Sequence, residues 1–164
     1  STDYGKSFGQ AIRLNPTDMP IHLWDENPPA ISVDREGRVY VLYFADDQQS
    51  STSFFSHSDN GTLFSAPIKI SSEANTWYHY QTEMLVDAKN RIHFIWHDTR
   101  DRAEYKKQGG GDLSIYHASA KTKTIEAPFS DQRIAKNICS CCRTADHLPS
   151  APAPPDHQPW PAVR

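Results

Sequence analysis

The chain has 164 residues, long enough for one domain with a real core. Its 17 basic and 20 acidic side chains leave a net charge of -3, which gives no basis for nucleic acid or an anionic membrane surface as a partner. No apolar run approaches the roughly 20 residues of a membrane helix, so no membrane span is expected.

Seven Tyr, seven Phe and four Trp stand among twelve Pro and seven Gly, a composition of short strands joined by turns. No convincing amphipathic helix is read. The chain opens on Ser1-Thr-Asp3-Tyr-Gly5-Lys-Ser7-Phe8. In such a turn an Asp carboxylate accepts from backbone N–H groups two or three residues on. Gly takes a positive φ, and the aromatic ring folds back to be buried. A last strand of a preceding unit is predicted over Ala11 to Asn15.

Residues 31 to 44, ISVDREGRVYVLYF, place two apolar runs around a polar Asp-Arg-Glu-Gly turn and predict a β-hairpin. Asp46 and Asp47 follow as turn residues. SFFSHS, residues 53 to 58, predicts a further strand, and a second turn copy follows with Asp59, Gly61 and Phe64. His57 takes the place of Ser1 there, so one hydroxyl contact is expected to be lost. Tyr78, Tyr80 and Glu83 lie in the next connection.

MLVDAKNRIHFIW, residues 84 to 96, repeats the first hairpin at one constant offset: Val33-Asp34 aligns with Val86-Asp87 and Arg38-Val39 with Arg91-Ile92. His93 and His97 are four apart, the spacing of a helical zinc site, but on a strand they would stand about 13 Å apart and share no ion. They read as surface or strand-end residues. Asp98 and Arg100 then precede a loop insertion around Gly109-Gly110-Gly111, and read first as a local ion pair. SIYHAS, residues 114 to 119, resembles SFFSHS. A third turn copy keeps Phe129 and Ile134 without the Asp-x-Gly.

The repeat has a period of about 50 to 65 residues with four short strands per unit, the signature of a β-propeller blade. The fold class expected is therefore all-β, a partial β-propeller of about two and a half four-stranded antiparallel blades. Complete blades fall at about 28 to 71 and 83 to 136, and a further piece begins near Cys139. A β-sandwich of similar hairpins is the competing architecture.

Cys139-Ser-Cys141-Cys142-Arg143-Thr gathers three Cys within four residues. As thiolates they suit a soft metal; in an oxidising compartment they suit a disulfide. A Cys141–Cys142 bond would be an unusual vicinal ring, and an odd count leaves one thiol over. Inert thiols and redox catalysis stay open beside these readings. No cofactor is expected apart from a metal at this cluster. Residues 146 to 164 hold six Pro and no strand periodicity. They are set apart from the domain over residues 1 to 145, as an irregular linker or a frameshifted end.

The opening motif, with Ser1, Asp3, Gly5 and Phe8, resembles the Asp box (BNR repeat) of the sialidase superfamily. Trp96-x-Asp98-x-Arg100 followed by Gly111-Asp112-Leu113-Ser114-Ile115-Tyr116 is similar to bacterial sialidase-like propellers, as is the Cys-x-Cys-Cys-Arg-Thr stretch. The resemblance covers residues 1 to about 145. It implies an Asp box that is a folding element away from the active site, and a parent of six blades and about 300 residues or more, so that the chain reads as an internal piece. It implies exo-hydrolysis or recognition of terminal acidic sugars on a glycan or glycoprotein, in a secreted or periplasmic parent. The chemistry implied is an arginine triad for the sugar carboxylate, a Tyr nucleophile paired with a Glu, and an Asp acid/base. The family's Arg-Ile-Pro motif is absent. Candidate site residues are Asp98, Arg100, Arg143, Tyr78 and Glu83, with self-association expected through open blade edges. A non-catalytic propeller scaffold and a Cys-cluster metal protein are the other function classes.

Overall fold

The structure, a computed structural model, describes residues 3–15, 17–23, 27–46, 51–72, 79–107, 113–125 and 129–139. Nine strands and one short helix run in chain order among the described residues: β1 (Ile21–His22), β2 (Ala30–Val33), β3 (Val39–Asp46), β4 (Ser51–Ser58), β5 (Ile68–Lys69), β6 (His79–Val86), β7 (Arg91–Asp98), α1 (Arg102–Lys107), β8 (Leu113–Lys121) and β9 (Asp131–Ile138). They form two antiparallel sheets. The first runs β1-β3-β4-β5, with β2 sharing β1's edge of β3; the second is the simple meander β6-β7-β8-β9.

The two predicted hairpins are β2–β3 and β6–β7, and their turns are built alike. Asp34 Oδ1 accepts from the N–H groups of Glu36 (3.1 Å) and Arg38 (2.9 Å). Asp87 Oδ1 accepts in the same way from Lys89 and Arg91, both at 2.8 Å. Each turn needs one residue at positive φ: Gly37 supplies it at 85° and Asn90 at 54°. Asn is the non-glycine residue that reaches this region at least cost.

Strand alternation makes the core. Ile92, Phe94 and Trp96 occupy one face of β7 and are fully buried. They meet Met84, Tyr116 and Ala118 of their own sheet and Tyr40, Leu42, Phe55 and Ile70 of the first, so the two sheets share one apolar layer. Phe55 and Phe94 lie 5.0 Å apart, and Phe129 closes the trio at 5.7 and 5.6 Å, within the range of favourable ring pairs. The alternate residues of β3, Val41, Tyr43 and Ala45, face the other way with Phe54, under Leu14, Met19 and Phe64.

Several local expectations are corrected. Residues 11–15 form no strand. Phe8 is 81% exposed and does not fold back under its turn. Gly5 does take a positive φ of 83°, but Asp3 bonds four residues on, accepting from Ser7 N (3.0 Å) and Ser7 Oγ (2.6 Å). In the second copy Gly61 sits at φ 70°, yet Asn60 rather than Asp59 staples the turn. Asn60 Oδ1 accepts from the N–H groups of Thr62 (2.9 Å) and Leu63 (3.0 Å), while Asp59 forms an ion pair with Arg38. Phe64 is half-buried against the second apolar cluster. The backbone N–H of His57, at the position of Ser1 in this copy, donates to Ser65 Oγ at 3.1 Å. His97 is a strand-end residue of β7, as one of the two readings had it, but fully buried rather than at the surface. His93 is half-buried between Asp87 (3.3 Å) and His117 (3.1 Å). The loop insertion carries the short helix α1. Among the described residues, no helix is long and apolar enough to cross a membrane.

Candidate functional site

Among the described residues, the end of β7 gathers a dense set of ionisable groups. Strand alternation puts Trp96 and Asp98 on one side, so the indole Nε1–H donates to Asp98 Oδ2 at 2.8 Å. Asp98 Oδ1 accepts from the Arg100 N–H at 2.8 Å and turns the chain out of the strand. Thr99 O and Asp101 O then accept from the N–H groups of Arg102 (2.9 Å) and Glu104 (3.0 Å), which starts α1.

That turn aims Arg100 back over the sheet. Its Nη2 meets Asp98 Oδ2 at 2.7 Å and Asp131 Oδ2 at 3.0 Å, and its Nη1 meets Asp131 Oδ1 at 3.3 Å. The guanidinium carbon stands 3.8 Å from the centre of the Tyr116 ring, a cation–π contact. Asp98 is fully buried and the Asp131 side chain nearly so. Burial would lower the Arg100 pKa, but the bonds and charges of Asp98 and Asp131 outweigh it and raise it. For Asp131, burial works upward and is overcome by bonds from Arg100 and Ser72, leaving the carboxyl below its usual range. Ser72, just past β5, donates its N–H (3.0 Å) and hydroxyl (2.7 Å) to Asp131 and so ties the first sheet to this cluster.

A second carboxylate completes the set. Asp101 accepts from Ser114 Oγ (2.7 Å) and the Tyr116 hydroxyl (2.9 Å), and pairs with Arg133 at 3.3 Å. Burial opposes ionisation of Asp101, but these three partners lower its pKa. Burial first, and then the bond to Asp101, raise the Tyr116 pKa well above a free phenol's, so its proton stays on.

His79 opens β6 beneath this cluster, fully buried with its ring 5.3 Å from Trp96. Ser53 N–H donates to Nδ1 at 3.1 Å, which leaves the ring proton on Nε2, 3.5 Å from Asp98 Oδ2. The proximity to Asp98 would favour a second proton. Burial, then the charges of Arg100 and Lys69, win against it, and the pKa lies well below 6.5 although Asp131 pulls upward.

Of the sequence candidates, Asp98 and Arg100 are brought together, as the local ion pair expected. Glu83 sits on β6 opposite Ile95, in register with the middle of β7 rather than its Asp98 end. Tyr80 pairs with His97, and Asp46 ends β3 opposite Ser51. Cys139 is exposed just beyond β9. Ser1, Asp47, Tyr78, Cys141, Cys142 and Arg143 lie outside the described residues. Among the described residues no three His, Cys, Asp or Glu side chains gather as metal ligands. His79, Asp101, Tyr116, Asp131 and Arg133 were missed. Asp101 directly follows Arg100 in the sequence; Asp131 matches nothing in the repeat.

No family model and no solved structure matches the chain. Among curated proteins it is similar to one described as Lactonase drp35, from Staphylococcus haemolyticus (strain JCSC1435), with 25% identity over 134 residues. The match covers 82% of this chain and 38% of that protein, so the chain spans well under half the length of the curated relative it matches.

Proposed function

We propose that the chain supplies two blades to a sialidase-like β-propeller that recognises terminal acidic sugars of glycans, and that it contributes a braced wall rather than the reacting groups. Two consecutive antiparallel meanders with matching Asp-headed turns support the blade reading. The observation that carries the second half is the saturation of the cluster around Arg100. A retaining sialoside hydrolase needs an arginine fork open to the sugar carboxylate and a phenol that gives up its proton. Arg100 is held by two carboxylates already, and Tyr116 donates to an Asp whose own affinity for protons is reduced. The cluster therefore fixes the ends of β6, β7, β8 and β9 against Ser72 and leaves the acid, base and nucleophile to residues outside it.

The test is to offer the purified chain a fluorogenic N-acetylneuraminic acid glycoside, and separately sialyllactose against lactose in a ligand-observed NMR experiment. Sialyllactose should bind in preference to lactose, with no turnover of the glycoside. Turnover that disappears in Tyr116→Phe would overturn the assignment. The similarity to a lactonase favours a second reading, in which the parent adds water to a cyclic ester and releases a hydroxy acid. Acid release from an aryl lactone, lost in Asp101→Asn, would select that reading over the first.

A further inference from the structure

The opposite end of the second sheet carries a different kind of site. The β6–β7 turn and the turn after β8 together line a cavity of about 400 Å³ with Lys89, Asn90, Arg91, Lys121, Thr122 and Lys123. We propose that this cavity binds a tetrahedral oxyanion, carried as a phosphate or sulfate monoester on a group the size of a sugar.

The charge balance points to an anion. Four of the six lining residues are cations. Lys89 and Lys121 have no carboxylate within ion-pair distance among the described residues. Arg91 spends one Nη2–H on Ser119 Oγ (2.8 Å), a neutral partner. Carboxylates do stand close by: Asn90 Nδ2–H donates to Glu36, Asp34 shares the Tyr40 hydroxyl with Thr122 O, and Asp87 heads the β6–β7 turn. Glu36 meets Lys123 at 3.5 Å on the exposed surface. Asp87 is taken up by the backbone of Lys89 and Arg91 and by His93. The four cations of the lining outnumber Glu36 and Asp87, so the cavity keeps an excess of positive charge.

The cavity is also built rather than incidental. Thr122 N–H donates to Asn90 O at 3.0 Å, which ties the two turns together. Thr122 O accepts from the Arg38 guanidinium, and Asn90 Oδ1 accepts from Arg35 N at 3.3 Å, so both turns are anchored to the first sheet. Thr122 is fully buried, yet its hydroxyl finds no partner among the described residues. That hydroxyl lies behind the cavity wall, so the cations of the lining are the groups an anion would meet. The volume falls within the range of small-ligand sites. Asp98 lies seven steps along β7 from Arg91, about 23 Å of strand, so the proposal does not rest on the glycan reading of the other end.

The experiment is a titration of the full chain at low ionic strength, followed through its backbone amide NMR spectrum. The probes are inorganic phosphate, inorganic sulfate, glucose 6-phosphate and glucose 6-sulfate, with glucose as the neutral control. The esters should shift the amides of Lys89–Arg91 and Lys121–Lys123, and glucose should not. The stronger of the two esters identifies the source. Lys121→Gln combined with Lys123→Gln should weaken the preferred ester at least tenfold. Lys106→Gln combined with Lys107→Gln on α1 removes the same charge elsewhere and should change affinity less than twofold. Equal weakening by both pairs would reduce the effect to general surface charge and overturn the proposal, as would an absence of shifts at these six residues with every anion. The unperturbed remainder of each spectrum verifies that the variants are folded.

Discussion

Lowering the pH should act on this fold first through His79. The ring is fully buried, its Nδ1 accepts from Ser53 N–H, and its pKa is held well below 6.5 by burial and by Arg100 and Lys69. In the unfolded chain the same ring takes up a proton near pH 6.5. The sign follows from linkage: the unfolded state binds more protons than the folded one below that pH, so stability is complete above it and falls as acid is added. Between pH 7 and pH 5 the limiting loss, for a ring that stays neutral in the fold, is about 2 kcal/mol. His97, fully buried with its pKa lowered by burial, adds a loss of the same sign. The assay is urea unfolding at both pH values for the wild type and His79→Asn, whose Oδ1 can take over the role of Nδ1. The variant should lose less than the wild type by up to about 2 kcal/mol over that interval. Parallel losses in the two proteins, or an imidazole NMR signal of His79 that titrates near pH 6.5, would refute the reasoning.

Arg100→Ala leaves Asp98 and Asp131 buried without their cation and should destabilise the protein by about 3–5 kcal/mol in chemical denaturation, with Arg100→Lys recovering only part because Lys cannot fork to both carboxylates. Tyr116→Phe removes one bond to Asp101 but keeps the ring under Arg100, so thermal unfolding should report about 1 kcal/mol of loss. Asn60→Ala should cost about 1 kcal/mol by releasing the Thr62 and Leu63 amides, and Asp59→Ala, which breaks only an exposed ion pair, should cost less; urea midpoints of the two variants rank them. Phe55→Ala opens the shared aromatic layer and should cost about 3–5 kcal/mol by the same measurement.

What the sequence made legible was whatever repeats locally. Asp34 and Asp87 head identical turns because the same carboxylate reaches the same two amides, and alternation in β7 announces Ile92, Phe94 and Trp96 as one face. Asp98 and Arg100, two residues apart, could be paired on spacing. Asp131 could not: it reaches Arg100 across the β7–β8–β9 order, a relation set by how strands are laid side by side. The same limit hid His79, whose importance comes from lying under Ser53 of the other sheet. Phe8 shows the opposite error: a motif that predicts burial needs a neighbour to bury against, and none of the described elements covers that ring.

Among the described residues, four backbone amides find their acceptors on side chains reached between the two halves of the chain. Ser53 donates to His79, Thr82 to Asn27, Ser72 to Asp131 and Arg35 to Asn90. None of the four bonds belongs to a strand ladder, so each survives only while the sheets remain in contact. Deuterium uptake at these positions therefore measures the separation of the two halves rather than the fraying of either. If they exchange together and ahead of the ladder amides of β7, the halves part before they unravel, and the seam between them is the weakest plane in the molecule.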